Sequence, residues 1–127
     1  MTLYESNYIR LKWLVRDIAS IDGTLISQVQ GDCPLHLQLE EHSRYTTTFK
    51  LTYFFDDPEG RYADPDLVVR VYHDAHLAEV RACARWHHHE VLRSLRSHCN
   101  HELDDRWARN MMLNKWLDYC VERGHRF

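Results

Sequence analysis

The stretch from Pro65 to Arg85, PDLVVRVYHDAHLAEVRACAR, constrains the fold more than any other part of the chain. Apolar and polar residues alternate on both sides of His73-Asp74-Ala75-His76, the pattern of two strands folded back on each other. A reversal centred on Asp74-Ala75 sets Val71 opposite Ala78, Val69 opposite Val80 and Leu67 opposite Ala82, making one face wholly apolar. On the other face Arg70 meets Glu79 and Tyr72 meets Leu77. A one-residue slip would lose both the apolar ladder and the charge pair, so the register is well determined. The turn is less so. Asp74-Ala75 lacks the Gly or Asn that a two-residue primed turn prefers, which leaves room for a wider loop paired only from Tyr72 and Leu77 outward.

The flanking segments supply the remaining layers. From Leu3 to Ala19, Tyr4, Tyr8, Leu11, Leu14, Val15 and Ile18 recur at helical steps, while Glu5, Arg10, Lys12, Arg16 and Asp17 form a solvated face. Thr24 to Gln30 reads as a short strand after the Ser20-Ile21-Asp22-Gly23 turn. Leu35, Leu37 and Leu39 alternate in the next strand, and YTTTFKLTYFF from Tyr45 to Phe55 in the one after it. A three-residue loop, His42-Ser43-Arg44, pairs Leu37 with Phe49 and Leu35 with Leu51, whereas a two-residue loop sets leucines against threonines and Lys50. Asp56 to Asp64 reads as an exposed connection, without the ligand spacing of a calcium loop. Residues 86–103 carry too few apolar positions to fix a period. From Asp104 to Arg123 a helix is expected, ended by Gly124, whose apolar positions span more than half its circumference. That arc needs a sheet on one side and another helix or another subunit on the other. Arg106, Asn110 and Asn114 fall inside it, so their polar groups need partners within the fold or a ligand.

At 127 residues and 44% hydrophobic content, one domain over residues 1–127 is expected: α+β, with an N-terminal helix, an antiparallel β-meander of four to five strands, and a C-terminal helix packed on the sheet. The formal charge is −3 with no like-charge run, which argues against nucleic-acid and membrane-surface partners. Cys33, Cys83, Cys99 and Cys120 are widely spaced and contain no Cys-x-x-Cys, as expected of free thiols. With no secretory pattern and no membrane-length apolar run, a cytoplasmic protein is expected.

Chemistry-bearing residues concentrate at the hairpin mouth. His73 and His76 share a face and could approach a divalent metal. Two imidazoles make an incomplete site, and nothing in the spacing brings His87-His88-His89, His98, Cys99 or His101 to them. Asp74 neighbours His73, yet adjacent strand residues point to opposite faces, a poor arrangement for acid–base work. Ser43 and Ser97 lack a nucleophile elbow. Arginines beside aromatics, as at Arg44-Tyr45 and Arg70-x-Tyr72, suit stacking and phosphate contact with single strands, or equally core rings with amphipathic neighbours.

The run Pro65-x-Leu67-x-Val69-Arg70-x-Tyr72-His73-Asp74-Ala75-x-x-Ala78-Glu79-Val80 resembles the signature of the YqiB-like family of uncharacterised bacterial proteins. Glu5-x-Asn7-Tyr8, Arg44-Tyr45-Thr46-Thr47 and Asn110-x-x-Leu113-x-x-Trp116-Leu117-x-x-Cys120 are similar to the same family. At Cys99-Asn100 the chain departs from it, where the family carries Pro-Asn. The resemblance implies no reaction and assigns no role to His76 or His87 to His89.

These readings lead to a small non-catalytic binding or protein-interaction module, with a homodimer or protein partner expected through the C-terminal helix. The alternatives are a ligand-binding or hydrolytic site at the mouth, and single-stranded nucleic-acid binding on the sheet. Candidate ligand-binding residues are Arg44, Tyr45, Arg70, Tyr72, His73, Asp74, Glu79, Arg106 and Asn110. No catalytic residue, metal or cofactor is assigned.

Overall fold

Among the described residues, five antiparallel strands form a meander in the order β1-β2-β3-β4-β5, and two helices pack on the same face of it. The computed structural model describes residues 1–57, 60–82 and 105–127. Its elements are α1 (Leu3–Leu14), a 3-10 turn (Ile18–Ser20), β1 (Thr24–Ser27), β2 (Leu35–His42), β3 (Thr46–Asp57), β4 (Gly60–Tyr72), β5 (Leu77–Ala82) and α2 (Asp105–Glu122). This is the α+β architecture that the periodicity implies. Residues 86–103 lie outside the described residues. No helix among the described residues is long and apolar enough to cross a membrane.

The inner sheet face carries Leu35, Leu37, Phe49, Leu51, Tyr53, Leu67, Val69, Val71, Ala78 and Val80, all buried. Leu11 and Leu14 of α1 and Met112, Leu113, Trp116, Leu117 and Cys120 of α2 close over them. The wide apolar arc of α2 is thus shared between the sheet and α1. Thr2 opens α1 with a capping box: its hydroxyl accepts from the Glu5 N–H, and the Glu5 carboxylate accepts from the Thr2 N–H.

The central hairpin keeps its expected register at Tyr72–Leu77, Val71–Ala78, Arg70–Glu79 and Val69–Val80. Beyond Val80 it departs, because Ala82 pairs with Val68 rather than Leu67. Arg81 is the extra residue of a bulge on this edge strand, a device that twists an edge away from further pairing. The turn is the wider loop, closed by His76 at a φ of 56°.

The β2–β3 register differs from expectation by two residues: Leu37 pairs with Leu51 and Leu35 with Tyr53. Ser43 N–H donates to the Thr46 carbonyl at 2.9 Å, so the chain reverses over Arg44-Tyr45, the two-residue turn that simple alternation excludes. A bulge between Leu39 and Glu41 restores parity by inserting Glu40. Leucine again meets the inner face.

Three boundaries move for tertiary reasons. α1 stops at Leu14 instead of Ala19 because Val15 turns extended, and Phe127 then pairs with Leu14 and Arg16 through its backbone. β1 ends at Ser27, opposite the first residue of β2, rather than at Gln30. The expected loop from Asp56 to Asp64 is largely strand: Asp57 pairs with Gly60, and Phe54 with Ala63. Tyr53 faces the two residues Asp64 and Pro65 across a bulge, the position where a proline's missing N–H does least harm to a ladder.

Candidate functional site

The two turns at one end of the sheet form a single surface. His73 N–H donates to the Tyr45 carbonyl at 2.8 Å, tying the β4–β5 loop to the β2–β3 turn. Arg44 lies over the exposed Tyr45 ring at 5.2 Å, and Asp74 is exposed beside them. On the adjoining outer sheet face, strand register aligns Thr48, Arg70 and Glu79 in one row. Arg70 Nε donates to Thr48 Oγ1 at 3.1 Å, with its Nη2 3.9 Å from the Glu41 carboxylate. Tyr72 donates its hydroxyl proton to Glu79 at 2.7 Å, and Arg81 approaches the same carboxylate oxygen at 3.4 Å. The Glu79 bond, reinforced by burial, raises the Tyr72 phenol above its ordinary range, so it stays a donor.

The structure therefore brings Arg44, Tyr45, Arg70, Tyr72, Asp74 and Glu79 to one end and the outer face of the sheet. His73 points to the inner side, where its Nε2 lies 2.7 Å from Thr47 Oγ1. His42 Nδ1 shares that hydroxyl at 3.1 Å. Thr47 is fully buried, and one hydroxyl proton cannot serve two imidazoles, so at least one ring donates to it. Burial and the neighbouring His42 lower the His73 pKa, opposed by Asp74. His76 stacks on Tyr8 of α1 at 5.1 Å instead of facing His73 across a metal. Among the described residues no group of three His, Cys, Asp or Glu side chains could hold a metal ion, and the distal histidine and cysteine candidates lie outside those residues.

Arg106 is exposed at the start of α2, but Asn110 is fully buried and committed to the fold. Its Oδ1 accepts from the Val80 N–H of β5 at 2.9 Å, and its Nδ2 donates to the Arg106 carbonyl at 2.8 Å. Asn7 of α1 donates to the Asn110 side chain at 3.4 Å, and Asn114 donates to Asn7 at 3.1 Å. Three of the stretches that carry the family resemblance meet here, at Asn7, Val80 and Asn110. The partners are thus within the fold, on a strand and a helix.

A second polar knot joins residues far apart in the sequence. Asp32 Oδ2 accepts from Tyr53 at 2.8 Å and from His125 Nε2 at 2.9 Å, with Arg123 Nε at 3.7 Å. His125 Nδ1 lies 3.0 Å from Ser27 Oγ, which also accepts the Arg126 N–H. Burial pushes the Asp32 carboxyl up, but hydrogen bonds from Tyr53, His125 and the Cys33 N–H outweigh it and leave it below its ordinary value. Burial, with Cys120 and Asp32 adjoining, drives the Tyr53 phenol far above its usual range, and burial raises the Cys120 thiol. The Ser27–His125–Asp32 set has the composition of a nucleophilic triad. Ser27 is only 7% exposed and His125 fully buried, so the arrangement closes the fold and leaves no approach for a substrate. Its one sequence signal is Gly124, whose φ of 97° turns the chain after α2 and sends His125 inward.

Residues 10–126 match the family described as protein of unknown function DUF1249. The chain belongs to that family. The uncharacterized protein YqiB of Escherichia coli K12 is 30% identical over 126 residues, covering 98% of this chain and 87% of the relative. The YqiB proteins of Escherichia coli O6:H1 and O157:H7 match to the same extent. No solved structure matches the chain.

Proposed function

We propose that this protein is a non-catalytic binding module that recognises a protein partner through the turn end and outer face of its sheet. The observation that carries this reading is the His73 N–H bond to the Tyr45 carbonyl, which ties two turns into one surface. Arg44, Tyr45 and Asp74 stand exposed on it, beside Arg70, Tyr72 and Glu79, whose geometry is held by their own hydrogen bonds. Aromatic and arginine side chains fixed before binding lose little conformational entropy when a partner arrives. Arg106 and Trp107 at the start of α2 are exposed as well.

Photo-crosslinking in a bacterial host tests the reading. A photoreactive residue at Tyr45 or Asp74 is expected to give a discrete protein adduct that Arg70→Glu removes, while one at Ile26, at the opposite edge of the sheet, gives none. The same diffuse adducts from all three positions, or no adduct, would sink it. Native mass spectrometry of protein purified without added metal reports oligomer, metal and retained ligand together; a strict monomer at high concentration removes self-association through α2.

A further inference from the structure

The carboxyl-terminal ends of α1 and α2 leave a groove of about 820 Å³ on the helix layer, remote from the turn surface. Trp13, Leu14, Val121 and Phe127 form its apolar lining, and Lys12, Arg16 and Arg126 its rim. Trp13 is 54% exposed, the largest side chain in the protein left so open among the described residues. Arg10 lies 5.6 Å from its ring centre while bound to Asp118, which holds the indole against the helix rather than free in solvent. Lys12 lies over Tyr8, and none of the three rim cations forms an ion pair among the described residues.

A chain of net charge −3 thus gathers around the exposed Trp13 three cations that have no ion pair among the described residues. Tryptophan and arginine dominate the residues that contribute most to protein–protein binding, and a rim of one sign selects partners of the other. Small-molecule sites bury most of their ligand in an enclosed cavity, whereas this groove is open along one side. We propose that the groove docks a short acidic segment of a partner protein, with an aromatic or branched apolar side chain seated against Trp13 and Phe127 and carboxylates meeting Arg16, Arg126 and Lys12. Backbone bonds between Phe127 and both Leu14 and Arg16 fix the floor, so the site is formed before the segment arrives.

Fluorescence polarisation on the full chain tests this with labelled short peptides that alternate Glu or Asp with Phe, Trp or Leu. Two control sets replace the acids by Lys or the apolar residues by Ser. Saturable binding of the acidic–apolar set is expected, weakening with salt and by about tenfold or more in Arg16→Glu/Arg126→Glu. Trp13→Ala is expected to weaken it comparably, and Arg81→Glu, on the outer sheet face, to leave it unchanged. The Arg81 control separates this proposal from the turn-surface reading, since either surface can fail alone. Equal binding of the Lys-substituted peptides, insensitivity to the double charge reversal, or no saturable binding would overturn it. So would binding of a free aryl sulfonate, with the same charge dependence, where the peptides do not bind; the ligand would then be a small organic anion.

Discussion

α2 ends in two buried polar knots of opposite chemistry. Near its start, Asn7, Asn110 and Asn114 exchange neutral amide bonds with each other and with β5. Just past its end, Asp32 gathers Tyr53, His125 and Arg123 around one carboxylate oxygen. Both join helix to sheet, yet only the second stakes its stability on a charge. A neutral amide knot fixes geometry at every pH, whereas a buried carboxylate is strong only while ionised and fully partnered.

The largest effect is therefore expected from Asp32→Ala, which leaves the fully buried His125 and the Tyr53 hydroxyl without their acceptor. Chemical denaturation should show a loss of about 3–5 kcal/mol at neutral pH. Because the folded carboxyl sits below its unfolded value of 3.8, its contribution is present above that pH and disappears as pH falls through the folded value. The difference between wild type and Asp32→Asn should shrink in the same acid range. A difference that stays constant there would mean the charge is irrelevant and would erase the contrast between the knots.

Asn110→Ala comes next. It orphans the Val80 N–H at the edge strand and removes one of the two acceptors of Asn7, leaving it the residue-110 carbonyl, for about 1–3 kcal/mol. Its cost should be flat across the acid range where that of Asp32→Asn falls; a matching decline would show that the amide knot is coupled to a charge.

Gly124→Ala should cost about 1–2 kcal/mol, from the left-handed backbone alone, because an added Cβ meets only Val29 at an ordinary 3.9 Å. Since Gly124 delivers His125 to Asp32, its cost should be smaller in an Asp32→Asn background than in wild type. Full additivity in a double-mutant cycle would mean that the turn and the knot are independent.

How much of this was legible depends on where the information lies. Arg70–Glu79 and its apolar ladder could be read because side-chain alternation and charge agree on one register. The bulges at Glu40, at Asp64-Pro65 and at Arg81 could not, since an extra backbone residue carries no side-chain signature and only the neighbouring strand reveals it. The hairpin-mouth candidates were visible as residue types, but which face each one occupies followed from strand parity that the loops decide. Asp32 sits beside Gly31 with no periodicity to mark it, and its contact with His125 spans 93 positions. Nothing local can announce such a pairing; it exists because β1, β3 and the chain after α2 converge.

The smallest effect tests the inner side of the turn surface. His73 is half-buried, bonded to Thr47 and faced by His42, so its folded pKa lies below the ordinary 6.5. The unfolded chain then takes up this proton first as pH falls. Stability contributed at this position should be fully present above 6.5, decline as pH drops through it, and level off once the folded imidazole also protonates. Replacing His73 by Asn, which keeps a polar partner for Thr47, should flatten that part of the stability profile between about pH 8 and 5. It should leave the acid limb set by Asp32 in place. An unchanged slope near 6.5 would assign the sensitivity to other histidines and leave the turn surface, like the amide knot, indifferent to pH.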